Sequence, residues 1–231
     1  MGLTSVDYPI SSVHWKPAYR IIPSRYPAIN LFDRVASPED FDALYALEAL
    51  TNDRIRDEAG QIELVPASER LVGQGSGPIM AAFTHLNPRG SRFSDGTFGV
   101  FYCAKEEGTA VAETVYHSSR FLSATQEQPI KLQMRLYVVQ AKGKAVNLRL
   151  PQYANSALFD PNSYVHSQQM GRSLREQGYN GIVYSSVRRQ GGTCLAALRT
   201  SILRNCLHAA YLEYNWNGKD IDAVYKLSQV L

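Results

Sequence analysis

Between Arg89 and Arg120 the chain carries an arginine in a glycine-rich loop, a tyrosine in a short apolar run and a glutamate among helix formers: Arg92, Tyr102 and Glu113. A guanidinium offers a planar fork of donors to an anion, an aromatic ring offers a face for stacking, and a carboxylate stabilises positive charge that grows as a bond breaks. The three meet only if the segments holding them fold as loop, strand and helix. Gly90-Ser91-Arg92-Phe93-Ser94-Asp95-Gly96 is turn-rich. Residues 98–103 combine aromatic and β-branched side chains and read as a buried strand. Residues 106–120 read as a helix, with Glu106 and Glu107 in the first turn, where the dipole favours anions, and Arg120 near the end. Such a unit converges the three side chains at its mouth.

The remaining elements must frame that unit. Residues 1–16 read as a loose arm, and residues 18–22 as a strand that carries Arg20 and ends at Pro23. Ser37-Pro38-Glu39-Asp40 starts a helix that runs to about Asp53. Residues 73–78 form a flexible turn without phosphate-loop spacing, and 79–83 read as a further strand leading into the loop that holds His85. Alternation over 130–140 predicts a half-buried strand, with a second at 145–148. Residues 151–163 read as irregular, 164–177 as a helix closed by Gly178, and 182–184 with 193–198 as a hairpin whose first strand ends at Ser185-Ser186. The run 203–214 suits strand or helix, and Ile221, Val224, Tyr225 and Leu227 fall in helical register in the tail. Strands and helices mix without the alternation of a doubly wound sheet, which predicts an α+β fold with no internal domain boundary.

Composition narrows the function classes. The 24 basic residues against 21 acidic ones leave a net charge of +3, without a run of five or six like charges, so direct nucleic-acid binding is not expected. Three widely separated cysteines form no CxxC pair, and the five histidines show no metal-ligand spacing, so neither a disulfide framework nor a metal is expected. No apolar run approaches the roughly 18 residues that span a bilayer, which predicts a soluble, cytoplasmic protein. Taken singly, each candidate residue has an ordinary structural role: Arg20 on an exposed strand face, His85 bracing a loop, Glu113 solvated on a helix, Tyr102 in the core.

Their order along the chain is more specific. Tyr19-Arg20-Ile21, the loop 90–96 with the Tyr102 strand and Ala110-Val111-Ala112-Glu113-Thr114, and the glycine-led run 178–186 ending at Ser186 resemble the three blocks of the RES-domain toxins of bacterial toxin–antitoxin pairs. Phe93 and Ser94 stand where that family usually has tryptophan and asparagine. The resemblance implies an ADP-ribosyltransferase-like core, a mixed or antiparallel sheet with flanking helices. It implies one domain over 1–231: a core at about 18–199, an inserted segment at about 30–75 and a C-terminal extension at about 200–231.

It also implies a reaction, cleavage of the nicotinamide–ribose bond of NAD+ as substrate, with no tightly bound cofactor. Glu113 and Arg92 become the catalytic candidates, Arg20, Tyr102 and Ser186 the NAD-binding ones, and His85 a weaker candidate. ADP-ribose would pass to phosphate, water or a target protein, and an Xre-like antitoxin would occlude the site. The alternative on the same fold is a non-catalytic module that recognises a partner or RNA.

Overall fold

A computed structural model describes residues 7–25, 33, 37 and 59–228. Among the described residues seven strands and three α-helices alternate irregularly, as expected of an α+β chain. The strands are β1 (Ile10–Pro23), β2 (Phe101–Ala104), β3 (Ile130–Asn147), β4 (Gly181–Ser185), β5 (Thr193–Ala197), β6 (Leu203–Trp216) and β7 (Ile221–Leu227). The helices are α1 (Gly77–Thr84), α2 (Glu107–Thr125) and α3 (Val165–Glu176). All seven strands join one mixed sheet in the order β1-β2-β5-β4-β3-β6-β7, and β1 pairs with β3 as well. β3 pairs in parallel with β4 and antiparallel with β1 and β6. The pairings β1–β2–β5–β4–β3–β1 therefore close a ring, from which β6 and β7 extend.

The core lies on both faces of β3. Successive side chains of a strand point to opposite faces. Tyr137, Val139, Ala141 and Ala145 pack with Ile79, Met80 and Phe83 of α1, while Met134, Leu136 and Val146 pack with Ala110 of α2 and Leu174 of α3. Because both faces are covered, Arg135 and Tyr137 are buried along with Met134 and Leu136, and the expected half-buried alternation does not hold at mid-strand. The two strands expected at 130–140 and 145–148 are one continuous strand.

Three other expectations are corrected. Residues 79–83 are helical: Pro78 occupies the first turn of α1, and the Asp33 carboxylate accepts hydrogen bonds from the Gly75 and Gly77 N–H groups at its start. That cap comes from far away in sequence and satisfies donors that a helix leaves open. The tail forms β7 rather than a helix, since Asn217 and Gly218, at φ +96°, turn the chain back onto the free edge of β6. The arm is ordered from Ile10, where β1 pairs with the far end of β3. The ambiguous run at 203–214 is strand β6. The helix expected at 37–53 lies outside the described residues apart from Ser37.

Candidate active site

The loop–strand–helix unit forms as its sequence predicts, with the strand shortened to β2. In the loop, the Ser91 N–H donates to the Ser94 carbonyl at 2.6 Å, and the Ser94 hydroxyl donates to the Phe98 carbonyl at 2.5 Å. Gly90, at φ +70°, passes so close to the Ser94 carbonyl that no Cβ fits. The Tyr102 hydroxyl ties the loop to β2, accepting from the Phe93 N–H at 2.9 Å and pairing with Ser91 Oγ at 2.8 Å. Burial pushes its pKa up to about 12, so it stays a phenol at neutral pH. From the other side α3 presses on the loop: Gln168 donates to the Ser91 carbonyl at 3.0 Å, and Gly171 meets the Phe93 carbonyl where a Cβ would sit.

A cavity of about 360 Å³ opens between this loop, β1, β2 and α2. Arg20, Arg92, Tyr102 and Glu113 all line it, so four of the sequence candidates share one wall-to-wall space. Arg92 is 8% exposed, with its guanidinium 4.6 Å from the Tyr164 ring centre. Its Nη1 donates to the carbonyls of Leu158 and Asp160, at 3.0 and 3.2 Å, which fixes one end of a fork that carries five donors. Arg20 is turned toward β2: its Nη1 donates to the Tyr102 carbonyl at 3.0 Å and its guanidinium lies 4.4 Å over the Phe101 ring. Burial lowers its pKa, but a guanidinium remains a cation.

Ser186 is just past the end of β4, outside the cavity lining, and reaches the site through Glu113. Its hydroxyl donates to Glu113 Oε1 at 2.6 Å and accepts from the N–H groups of Arg188 and Arg189, at 3.1 and 3.0 Å. One donor and two lone pairs are thereby used. The Cys194 thiol also points at Glu113 Oε1, at 3.9 Å. Burial first, and the Glu113 charge second, drive the Cys194 pKa far above its ordinary value, so it is no nucleophile.

Two residues join the site beyond the sequence candidates. His117 lines the cavity one turn past Glu113, and partial burial of its ring lowers its pKa. Glu113 opposes that shift while Arg188, Arg92 and Arg120 reinforce it, leaving an uncharged imidazole at neutral pH. Its position four residues after Glu113 was the available signal. Tyr164, the ring under Arg92, had none. His85 does not line the cavity: its Nδ1 pairs with Thr84 Oγ1 at 3.0 Å, and its ring packs over Gly60. There it braces the end of α1.

Glu113, held by Ser186, and the buried Arg92 thus line one cavity of an α+β scaffold. A sequence model of the RES domain matches residues 69–217, and the chain belongs to the RES domain family. The matched span holds Arg92, Tyr102, Glu113, Ser186 and the whole of β6, while β1 with Arg20 precedes it. The uncharacterized protein y4oC of Sinorhizobium fredii (strain NBRC 101917 / NGR234) is 32% identical over 209 residues, spanning 90% of this chain and 86% of its own. A chain in the crystal structure of the M. tuberculosis MbcT–MbcA toxin–antitoxin complex is similar at 12% identity and a TM-score of 0.46, covering 90% of this chain and 87% of that one.

Proposed function

We propose that the protein is the toxin of a toxin–antitoxin pair and that its reaction is cleavage of the nicotinamide–ribose bond of NAD+, on an ADP-ribosyltransferase-like scaffold. The observation that carries this reading is the meeting of Glu113 and Arg92 in one cavity, with Glu113 Oε1 already fixed by Ser186 at 2.6 Å. The bond between the nicotinamide nitrogen and ribose C1′ breaks with its electron pair going to nicotinamide. The base leaves neutral, and positive charge develops on the ribose as an oxocarbenium ion. Glu113 stabilises that charge, and no general acid is needed because the leaving group requires no proton.

The other residues bind and orient. Arg92 takes the diphosphate through the donors left on its fork, and Arg20 adds positive potential from the β1 wall. Tyr102 holds the loop that carries Arg92 and offers a ring edge to the nicotinamide side. Ser186 acts as a positioning residue for Glu113, since its hydroxyl is already fully bonded. His117, uncharged, is placed to hydrogen-bond the ribose without adding repulsion to a cationic transition state. At about 360 Å³ the cavity is at the low end for small-molecule sites and encloses one end of a dinucleotide.

Phosphate, water or a protein side chain then captures the ADP-ribosyl cation, giving phosphorolysis, hydrolysis or modification of a target. The reading carries a cytoplasmic site of action and an Xre-like antitoxin that covers the cavity mouth. Incubating purified protein with NAD+, with and without phosphate, and separating nicotinamide from the ADP-ribosyl product tests it. Nicotinamide release is expected, and the second product identifies the acceptor. No release in either buffer, together with no labelled protein in lysate, removes the enzyme and leaves a binding module on the same fold.

A further inference from the structure

The cavity encloses one end of a dinucleotide, which leaves the diphosphate, midway along NAD+, at its mouth. Beside Arg92 a second guanidinium stands there, that of Arg188. Its Nη2 donates to the Pro161 carbonyl at 2.8 Å, and its central carbon lies 3.3 Å from the centre of the Tyr116 ring. Tyr116 in turn meets the His117 ring edge-on, with ring centres 5.4 Å apart, and His117 lines the cavity.

Arg188 repeats the construction of Arg92. Each guanidinium rests on a tyrosine ring and is anchored at one corner by backbone carbonyls of one short segment, Leu158 and Asp160 for Arg92 and Pro161 for Arg188. Asp160 and Pro161 are adjacent, and successive Cα atoms are about 3.8 Å apart, so the anchored corners lie within roughly 12 Å of one another. Phe159 fixes the segment against the site by stacking on Tyr184, a cavity wall, with ring centres 6.4 Å apart. Two cations held this close repel unless an anion joins them. Among the described residues no carboxylate bonds either arginine: Glu113 is taken by Ser186, and the Asp160 carboxylate accepts from the Asn162 and Ser163 N–H groups of its own turn, at 2.7 and 2.8 Å. Arg188 Nε is buried and finds no acceptor among the described residues, so this fork has a donor still to be met.

We infer that Arg188 binds the phosphate on the adenosine side of NAD+, while Arg92 binds the one on the nicotinamide side. The assignment rests on the NAD+ reading of this cavity and follows from depth, since Arg92 lines the wall and Arg188 lies outside the lining. Planar forks of this kind match phosphate oxygens. Steady-state kinetics with NAD+ and with nicotinamide mononucleotide, which lacks the adenosine-side phosphate, test it. Arg188→Gln should raise KM for NAD+ about tenfold or more, with kcat little changed, and leave KM for the mononucleotide as in wild type. The substitution keeps the backbone N–H that holds Ser186, and a loop disturbed through that serine would instead lower kcat for both substrates. Should Gln lower the melting temperature, Arg188→Lys, which keeps the charge but not the planar fork, gives the same selective rise in KM. Arg120→Gln, which removes an exposed cation one turn past Tyr116 on α2, should change neither KM.

An unchanged KM for NAD+ in Arg188→Gln overturns the assignment. So does an equal rise for the mononucleotide, or an equal effect of Arg120→Gln. Calorimetric titration with ADP-ribose separates this inference from the enzyme reading. A protein that releases no nicotinamide, yet binds ADP-ribose about tenfold more weakly as Arg188→Gln, keeps the phosphate site and loses the reaction. Normal nicotinamide release with an indifferent Arg188 loses the phosphate site alone, and a wild type that neither releases nicotinamide nor binds ADP-ribose removes both.

Discussion

At the residue scale the site turns on one carboxylate oxygen. Ser186 fixes Glu113 Oε1, and the two backbone N–H groups on the serine oxygen fix the serine in turn. Replacing Glu113 with Gln keeps the size and the serine contact but removes the charge. Nicotinamide release should then fall about a hundredfold or more, the scale for losing a group that stabilises transition-state charge. Its melting temperature should match wild type. Ser186→Ala leaves the carboxylate present but unheld. A hydrogen bond to a charged group contributes about 1.5–3 kcal/mol, so a drop in kcat of roughly tenfold to a hundredfold with little change in KM is expected from steady-state kinetics. Equal losses in the two variants would show that Ser186 does more than orient Glu113.

At the element scale the position of Arg92 depends on α3, which touches none of the proposed chemistry. Gly171 lets that helix press against the Phe93 carbonyl, and Gln168 grips the Ser91 carbonyl. Gly171→Ala forces the helix and the loop apart. Overpacking of this kind costs about 1–3 kcal/mol, seen as a lower denaturation midpoint. Because the displaced loop carries Arg92, KM for NAD+ should rise in the same variant. A stability loss with unchanged KM would separate the helix from the site.

At the scale of the whole molecule, burial on both faces of the sheet encloses groups that ionise at high pH. Burial raises Cys103 and Cys206 from 9.0 to about 12, and Tyr102 and Tyr214 from 10.0 to about 12. A folded-state pKa above the unfolded one means that the unfolded chain releases protons first. The stability these groups contribute is complete below about pH 9 and is lost as pH climbs toward 12. Thermal unfolding followed by circular dichroism should show a melting temperature that falls steadily over that window. At pH 8, iodoacetamide should label the three cysteines only after denaturant is added, read by intact mass. Rapid labelling of the native protein would contradict their burial.

Much of the local order was legible in the chain itself. The glycines around Arg92, the apolar run ending at Tyr102 and the acid-led helix of Glu113 define loop, strand and helix by backbone preference and period, which neighbouring residues determine. The hairpin of β4 and β5 and the stop of α3 at Gly178 were readable for the same reason. Other features depend on partners distant in sequence. Asp33 caps α1, whose residues on their own read as a strand. β6 supplies the edge that turns a helically spaced tail into β7. Sequence order brought Ser186 into the same family pattern as Glu113, but its commitment to that carboxylate arises only when β4 and α2 pack together. His85 and His117 exchange standing on the same ground: a histidine joins a site through the cavity its element faces, and only the packed sheet creates that cavity.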